Sequence, residues 1–336
     1  MIITKTPFRM SFFGGGTDMP SFFEEHGGAV ISTTFDKYCY VNVRHLPPFF
    51  DYHTELCYSK TERVTDVEDI RHPAIREAMK MLDMHDLRLV YEADLPARTG
   101  LGTSSSFAVG MLNAFYALKG KYADKKKLAK EAIYLERVLC NEAGGWQDQI
   151  AASYGGFNRI DFRNGEFDVQ PLIISPDRKQ LLDDNLMLFF TGFTRFSAEI
   201  QQSTEKTMKD KTAQLKEMLA IVDDAERVLT DSHADLNDFG RLLDQSWRLK
   251  KQTGTKISTG SIDELYEKGL QAGALGGKLL GAGGGGFLLF YVEKDKQPAL
   301  LQAMERLMHV PFQFENGGTR VVYYAPETYI PRGELL

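Results

Sequence analysis

Short apolar runs alternate with clusters of Gly, Pro and charged residues through the first third of the chain. The runs are rich in β-branched and aromatic residues, which favour strands, and the clusters between them favour turns. This pattern predicts that a β-sheet begins the fold. The predicted strands span residues 2–6, 29–34, 39–43 and 87–91.

A helical pattern follows the last of these strands. A turn at Gly100 and Gly102 leads into the Thr and Ser residues at 103–106, which favour a helix start, and Gly120 marks the helix end. The sequence thus predicts a strand, a glycine loop and a helix N-terminus in succession. Apolar residues recur on one face of this helix, at Phe107, Met111, Leu112, Phe115 and Leu118.

The rest of the chain mixes amphipathic helices with a few short strands. No internal repeat or low-complexity linker marks a domain boundary, and we place it near residue 180. The pattern predicts the α+β class in two domains, residues 1–180 and 181–336. The predicted helices span residues 125–140, 197–229, 236–250 and 298–308, and the predicted strands span 186–190, 287–292 and 319–324.

Length and charge bound the possible partners. A chain of 336 residues is long enough for about two domains with a buried core. Its 40 basic and 46 acidic residues give a net charge of −6, so there is no global positive field to attract nucleic acid or an anionic membrane surface. No run approaches the roughly 20 apolar residues of a membrane span. We therefore expect neither nucleic acid nor a membrane as partner.

The cysteines indicate the compartment. Cys39, Cys57 and Cys140 are odd in number, far apart and in no metal-like spacing, which favours a reducing environment and argues against a zinc site. The first residues lead into Arg9 rather than into the long apolar core of a secretion signal. We expect a cytoplasmic protein, either a monomer or a homodimer.

Two glycine-rich segments near the predicted sheet are candidate binding sites. Residues 13–18 follow the first strand, and their three glycines either bring the backbone close to a ligand or make a tight turn. Residues 95–106 lie between a strand and a helix start, where free amide groups and the helix dipole bind phosphate. Serine is also a common N-cap, so an ordinary capped helix is the alternative. Two glycines beside three serines favour phosphate binding.

Two carboxylates form the third candidate site. Glu136 and Asp148 are separated by a glycine break that can fold both side chains toward one place. One carboxylate would then hold Mg²⁺ and the other would accept a proton from a hydroxyl group. Beside Arg137 in an amphipathic helix, Glu136 also fits a solvated helix face, and the pattern alone favours that interpretation.

The fourth candidate site is the glycine cluster at residues 276–286. Gly281, Gly283 and Gly286 fit G-x-G-x-x-G, but a strand-like run follows where a dinucleotide-binding motif needs a helix. Lys278 is not followed by Ser or Thr, which excludes the phosphate-binding loop of the G-x-x-x-x-G-K-[ST] type. Two interpretations remain, a flexible glycine turn that closes over a substrate and a tightly packed structural turn.

Three of these motifs, taken together and in order, resemble those of the GHMP kinases, the superfamily of galactokinase, homoserine kinase, mevalonate kinase and phosphomevalonate kinase. They span residues 7–18, 96–105 and 278–286. Within the superfamily, residues 14–18 and 145–149 look most like the bacterial D-glycero-D-manno-heptose 7-phosphate kinases, which phosphorylate the anomeric C1 hydroxyl.

The resemblance implies a fold and a set of ligands. The N-terminal domain would resemble domain 2 of ribosomal protein S5, the C-terminal domain would be ferredoxin-like, and ATP and Mg²⁺ would be the cofactors. Asp148 would be the catalytic carboxylate, with Arg9 beside the transferred phosphoryl group, and Ser104 and Glu136 would bind Mg²⁺. The residues implied to contact ATP are Pro96, Gly100, Leu101, Gly102, Thr103, Ser104 and Ser105.

The implied substrate is a small sugar phosphate. Asp18 would hold sugar hydroxyls, and further contacts are expected from Gly14, Gly15, Gly16, Gly283 and Gly284. Phosphate recognition favours Arg or Lys. For the 7-phosphate we select Arg195, because it follows a predicted strand and a glycine, with Lys37 and Arg44 as alternatives. A merely solvent-exposed arginine is the other interpretation of Arg195.

The resemblance also has departures. Galactokinases carry a Glu-His pair where this chain has Gly15 and Gly16. The side chains that would bind galactose are therefore absent, and their absence leaves space for another sugar. The second motif has Thr103 where the family has Ser, which makes the assignment of Ser104 to Mg²⁺ less direct. The implied reaction is formation of heptose 1,7-bisphosphate for synthesis of nucleotide-activated heptose. The alternatives are an anomeric kinase of an unphosphorylated sugar, of the fucose or N-acetylhexosamine type, and a non-catalytic sugar sensor.

Overall fold

Two long strands organise the larger of two β-sheets. β1 (Ile2–Phe13) and β2 (Gly28–His45) pair antiparallel along most of their lengths. The first half of β2 also pairs with β6 (Asn158–Arg163), and its second half pairs with β5 (Leu87–Ala93). The computed structural model that gives this fold describes residues 1–97, 99–192, 211–254 and 256–327.

The sequence predicts two strands, residues 29–34 and 39–43, where the structure has the single strand β2. Polar residues 36–37 separate the two apolar runs, but the register with β1 shifts beside Pro7 and leaves them as extra residues. A bulge of this kind absorbs extra residues without ending a strand. It also lies where proline has no N–H to donate to a ladder.

Strands from late in the chain complete this sheet. β13 (Arg320–Tyr324) pairs with the edge of β1 that β2 leaves open, and β12 (Phe314–Glu315) pairs with β2. Two strands beyond residue 180 therefore join the sheet formed by the first 180 residues, and the division at 180 stays a prediction. The other strands of this sheet are β3 (Thr54–Cys57), β4 (Thr61–Val64) and β7 (Glu166–Pro171).

The structure has helices at the predicted positions within the described residues, with different bounds, and adds helices that the sequence did not predict. α3 (Thr103–Leu118) starts at the glycine loop as predicted, and its apolar face is buried. The helix predicted at 125–140 is α4 (Lys125–Ile133), which continues as a π-helical segment over Tyr134–Leu139. The helix predicted at 197–229 extends partly outside the described residues. The other helices are α1 (Pro20–His26), α2 (Pro73–Met81), α5 (Gln147–Tyr154), α6 (Pro176–Asp184), α7 (Thr212–Thr230), α8 (Asn237–Gln252), α9 (Gly260–Gln271) and α10 (Gln297–Ala303).

The smaller sheet has four antiparallel strands, in the order β11 (Met308–His309), β8 (Leu186–Phe190), β10 (Phe287–Tyr291) and β9 (Gly276–Leu279). β9 was not predicted, because part of the glycine cluster forms a strand and not a turn. Two glycines allow this, since a Cβ on Gly276 would lie only 1.9 Å from the Gly240 carbonyl oxygen on α8.

Aromatic packing joins the larger sheet to α8, and the ring of Phe239 on α8 in turn lies 6.0 Å from that of Tyr291 on β10 of the smaller sheet. The ring of Phe12 on β1 lies 5.4 Å from that of Phe157 and 5.3 Å from that of Phe239 on α8, and all three are buried. Such pairs add to the stabilisation that burial of apolar area provides. The α+β class is confirmed. In the described part of the chain, none of the helices combines the length and the apolar character needed to cross a membrane.

Candidate active site

A cleft opens where β1, the start of α5, the end of α8 and the turn between β9 and β10 meet. Positive charge concentrated in a concave site attracts and holds phosphate groups. The cleft therefore suits a phosphate-bearing ligand. The charged side chains that line it are Arg9, Arg137, Lys250, Lys278, Asp18 and Asp148.

Arg9 and Asp148 form a bidentate ion pair at the centre of the cleft. Arg9 Nε donates to Oδ1 and Nη2 donates to Oδ2, each at 2.8 Å, and Nη1 donates to the Gly100 carbonyl at 2.7 Å. A planar guanidinium fixes both the position and the orientation of a carboxylate. Arg9 is buried, whereas the Asp148 side chain is 21% exposed, so the carboxylate is held firmly and remains accessible. The structure thus brings the two predicted catalytic residues together.

The glycine loop before α3 lies against this pair. Gly102 has φ of +72°, in the left-handed region that favours glycine. A Cβ there would lie 3.2 Å from Arg9 Cγ and 3.5 Å from Asp148 Oδ2. The Arg9 backbone N–H donates to the Leu101 carbonyl at 3.1 Å. These contacts align the start of α3 with the ion pair.

No side chain caps the start of α3. The first amide groups of a helix and its dipole bind phosphate when no side chain occupies them. Thr103 and Ser105 are buried at this start, while Ser104 and Pro96 are exposed. The arrangement suits the triphosphate of ATP, and the individual contacts to ATP stay a prediction.

Glu136 is buried and does not lie on the solvated face that the pattern favours; only 2% of its surface is exposed. It belongs to the π-helical segment, and such segments often occur at functional sites. Its Oε2 accepts a hydrogen bond from Ser105 Oγ at 2.7 Å and another from the Gln149 amide. The structure therefore joins Glu136 to Ser105, while Ser104 stays exposed beside them.

The oxygen donors at this point fit Mg²⁺. Magnesium is usually bound through one or two protein oxygens, and phosphate oxygens and water complete its shell. Across the four described ranges, no group of three His, Cys, Asp or Glu side chains is arranged to hold a metal ion. A magnesium ion near Glu136 would thus depend on ATP for its other ligands. Binding by Ser104 and Glu136 stays a prediction.

Asp18 is fixed by backbone groups on the sugar side of the predicted site. Its carboxylate accepts the Gly16 N–H at 2.8 Å and the Gln147 N–H at 3.3 Å. Burial raises the pKa of Asp18 above its usual range, and the negative charge of Asp148 raises it further. The hydrogen bonds from the two amide groups act in the opposite direction and lower it. A Cβ on Gly145 would lie 1.8 Å from Asp18 Oδ2, so only glycine fits beside this carboxylate.

The three glycines after β1 were predicted either to make a tight turn or to bring the backbone close to a ligand, and the structure has a tight turn at one of them and an open backbone at the other two. Gly14 makes a tight turn, because its φ is +76° and a Cβ would lie 1.9 Å from the Ala29 carbonyl oxygen. Gly15 and Gly16 line the cleft, where the absent side chains leave the backbone open to a ligand. Substrate contact by these glycines stays a prediction.

The C-terminal glycine cluster packs against the second motif. A Cβ on Gly281 would lie 2.3 Å from the Cα of Gly100, and Gly281 lines the cleft. A Cβ on Gly283 would clash with the backbone of Ile257. The Gly284 N–H donates to the Ile257 carbonyl at 2.9 Å. Close backbone packing is the observed role of this cluster, and substrate contact by Gly283 and Gly284 stays a prediction.

Sequence reasoning missed three basic residues of the cleft. Arg137 donates to the carbonyls of Glu142, Ala143 and Gly145, and so holds the loop that carries Gly145 against Asp18. Lys250 and Lys278 reach the cleft from the C-terminal half. The part played by Arg137 was missed because its partners are main-chain carbonyls, which the sequence does not reveal. Lys250 was missed because a lysine at a helix end is commonly solvated.

The residues considered for the sugar phosphate lie elsewhere. Arg195 lies outside the described residues, and its role stays a prediction. Lys37 forms an ion pair with Asp36 at 2.8 Å, and Arg44 forms one with Glu327 at 3.2 Å. Neither alternative is among the residues that line the cleft.

Comparison with known proteins identifies relatives along almost the whole chain. A D-glycero-alpha-D-manno-heptose 7-phosphate kinase of Campylobacter jejuni is 28% identical over 319 residues, which cover 91% of this chain and 93% of that protein. An L-fucokinase/L-fucose-1-P guanylyltransferase of Bacteroides fragilis is 26% identical over 88% of this chain and 35% of its own length.

Solved structures share the fold. The crystal structure of a D-glycero-D-manno-heptose 1-phosphate kinase from Bacteroides thetaiotaomicron superposes with a TM-score of 0.78 at 22% identity, over 96% of this chain and 99% of that chain. Residues 70–156 match the family described as GHMP kinases N terminal domain, and residues 225–310 match GHMP kinases C terminal. With both domains in order along one chain, the protein belongs to the GHMP kinases and transfers phosphate from ATP to a hydroxyl group.

Proposed function

We propose that the protein phosphorylates the anomeric C1 hydroxyl of D-glycero-D-manno-heptose 7-phosphate and forms the 1,7-bisphosphate. The observation that carries the proposal is the Arg9–Asp148 pair, held at 2.8 Å in a cleft with further basic residues. A fixed and accessible carboxylate suits activation of a hydroxyl, and the surrounding positive charge suits an acceptor that already carries phosphate. The heptose 7-phosphate kinase of Campylobacter jejuni supports the choice of sugar.

The proposed reaction is an in-line transfer. The C1 oxygen attacks the γ-phosphorus of ATP, the bond from that phosphorus to the bridging oxygen breaks, and ADP leaves. The hydroxyl proton passes to Asp148, whose orientation Arg9 fixes. Phosphoryl transfer depends mainly on positioning and on stabilisation of charge. The amide groups at the start of α3 would hold the triphosphate, and Mg²⁺ near Ser104 and Glu136 would neutralise it when bound.

The same cleft offers recognition of the sugar. Asp18 would accept hydrogen bonds from sugar hydroxyls, because its two oxygens are already directed by backbone amides. Arg195 is our choice for the 7-phosphate. Substitution of Arg195 by Ala should raise KM for the phosphorylated sugar and leave KM for ATP unchanged. Equal losses on phosphorylated and unphosphorylated heptose would assign Arg195 a structural or catalytic part instead.

Two alternatives define the controls. The match to the L-fucokinase of Bacteroides fragilis supports an anomeric kinase of an unphosphorylated sugar as the second candidate. A sugar sensor without turnover is the third. The intact Arg9–Asp148 pair and the buried Glu136 speak against the sensor.

A substrate panel separates these candidates. ADP release would be measured with ATP and Mg²⁺ against heptose 7-phosphate, unphosphorylated heptose, fucose and N-acetylhexosamines, with the Asp148→Asn variant as control. We expect the largest kcat/KM with heptose 7-phosphate, and loss of the phosphorylated C1 product with the variant. Preference for an unphosphorylated sugar would contradict the proposal, and binding without turnover of any sugar would support the sensor.

A further inference from the structure

The positive charge available to the transferring phosphoryl group is smaller than the sequence suggests. Three nitrogens of Arg9 are already committed, two to Asp148 and one to the Gly100 carbonyl. A guanidinium in a bidentate pair with a carboxylate largely neutralises that carboxylate. Residues 100–106 contain neither Lys nor Arg. The remaining cation of this wall is Arg137, whose donors bind the carbonyls of Glu142, Ala143 and Gly145. The N-terminal wall therefore offers few unoccupied cationic N–H donors beside residues 100–106.

Lys250 supplies a cation from the opposite wall. It lies in the last turn of α8, lines the cleft, and donates through Nζ to the Gly281 carbonyl. Gly281 packs against Gly100, so this ammonium lies where the glycine turn meets the loop that Arg9 also contacts. Its location is therefore close to the start of α3 and to the ion pair.

Lys250 has no carboxylate partner in the described part of the chain. Every ion pair found there leaves it out, and its one hydrogen bond uses only one of its three N–H groups. A charge removed from water without a partner is costly, and an ammonium can relieve that cost by binding an anion. Burial and the charge of Arg9 together lower the pKa of Lys250 to about 8, although the charges of Asp18 and Asp148 act in the opposite direction.

Lys278 is a poorer candidate for the same task. Only 2% of its surface is exposed, and Nζ donates to the Phe12 carbonyl at 2.7 Å. Burial lowers the pKa of Lys278 well below its usual range, and the neighbouring Lys250 and Arg9 act in the same direction. Of the two lysines, Lys250 is the one whose side chain is partly exposed.

We propose that Lys250 binds the phosphoryl group during its transfer and stabilises the charge on its oxygens, while Arg9 holds Asp148. The N–H groups of Lys250 that are not bonded to Gly281 would donate to these oxygens. This role rests on the proposed function only in that phosphate moves from ATP to a hydroxyl in this cleft, and it holds for any sugar acceptor.

Kinetics of substituted enzymes test the proposal. Loss of one donor to a transition-state oxygen typically costs about 10²–10³-fold in kcat, and we expect a loss of that order for Lys250→Met with KM for ATP little changed. Lys250→Arg, which keeps the charge, should recover a large part of the rate. Lys251→Met is the matched control, because Lys251 is the next residue of α8 and pairs with Asp263 at 3.0 Å outside the cleft.

The pH profile gives a second readout. The charged ammonium of Lys250 is the active form. As the pH rises through about 8, Lys250 loses its proton, and kcat/KM should therefore fall. The titratable and charged groups that face Lys250 are Arg9, Asp18 and Asp148, which shift its pKa, and Lys278, whose own pKa Lys250 lowers. In Lys250→Arg the alkaline fall should move to higher pH, because arginine stays protonated. An unchanged alkaline limb in that variant would count against the proposal.

Binding of an analogue of the transferring phosphoryl group isolates the contact itself. ADP with aluminium fluoride, Mg²⁺ and the acceptor that supports turnover should raise Tm of the wild type more than ADP alone. Lys250→Met should lose this extra stabilisation and keep the effect of ADP. Equal stabilisation in both proteins, or kcat of the variant within threefold of wild type, would overturn the proposal. Lys250 would then have only a structural role, in the hydrogen bond that holds the glycine turn at Gly281. If heptose 7-phosphate is not the acceptor, the wild type itself will show no turnover with that sugar, and this outcome is distinct from a defect confined to the Lys250 variants.

Discussion

The two walls of the cleft hold their charges differently. On the N-terminal wall Asp148 and Glu136 have side-chain partners, in the Arg9–Asp148 pair at 2.8 Å and the bond from Ser105 to Glu136 at 2.7 Å, while Asp18 and Arg137 bond to the backbone. On the C-terminal wall Lys250 and Lys278 donate to backbone carbonyls. The first wall is arranged in advance, and the second carries charge that a ligand can neutralise.

This difference suggests separate tasks for the two walls. Groups whose orientation is fixed before the substrate arrives are suited to handling a proton, since the geometry of proton transfer is strict. Cations with unused donors are suited to negative charge that appears during reaction. Substitutions on the N-terminal wall should therefore alter turnover through geometry, and they can be ranked by how many fixed contacts each one removes.

Asp148→Asn should have the largest effect. The amide keeps the size of the carboxylate but removes the proton acceptor and places an N–H₂ against Arg9, so kcat should fall by roughly 10²–10⁴-fold with ATP affinity retained. Steady-state kinetics and nucleotide titration would measure both quantities. Asp161→Asn is a suitable control, because Asp161 accepts from Arg159 Nε at 3.0 Å outside the cleft. A loss of tenfold or less would move Asp148 out of the catalytic role.

Arg9→Ala should follow closely. The substitution leaves Asp148 without its partner and frees the Gly100 carbonyl, so we expect a loss of roughly 10²–10³-fold in kcat. Rates measured beside Arg159→Ala, an arginine that pairs with surface carboxylates, would control for the loss of an ion pair. A normal kcat in Arg9→Ala would remove Arg9 from the reaction centre.

Glu136→Gln should act on the metal. The carboxylate charge is lost while the shape stays, so the Mg²⁺ concentration for half-maximal activity should rise by about 10–100-fold, more than KM for the sugar. A titration of activity with Mg²⁺ would measure it, with Glu131→Gln on α4 as control, since Glu131 accepts from Tyr116 at 2.8 Å. A titration that overlays that of the wild type would exclude Glu136 from the magnesium site.

Gly145→Ala should give the smallest change on this wall. The new Cβ would displace Asp18, whose Oδ2 lies 1.8 Å from its position, and KM for the sugar should rise about tenfold, the equivalent of about 1.4 kcal/mol. Gly260→Ala meets no heavy atom within 4 Å and serves as control. If KM for ATP rose equally, Asp18 would not be specific to the sugar.

Much of the N-terminal wall was predictable because local signals mark it. The glycine loop and the start of α3 follow from residues 100–106, and the resemblance to the GHMP kinases implied the roles of Arg9 and Asp148. The burial of Glu136 was not predictable from the pattern alone, because the π-helical segment changes which face residues 134–139 present. Ser105 likewise emerged as its partner only in three dimensions.

The C-terminal wall was harder to predict for a physical reason. Lys250 ends an amphipathic helix, and helix ends carry lysine commonly because of the helix dipole. What makes it different is the approach of Gly281, 31 residues further on, to the end of α8. β9 was similarly hidden, because a glycine cluster predicts a turn until packing against α8 forces it into a strand.

The position of β13 has a consequence for the synthesis of this protein. β1 can pair with β2 as soon as the first 45 residues are available, but its other edge waits for Tyr324, the partner of Ile2. Until then an unpaired strand edge stays open, and such edges promote association between nascent chains. The strand that carries Arg9 is therefore among the first to be made and the last to be enclosed.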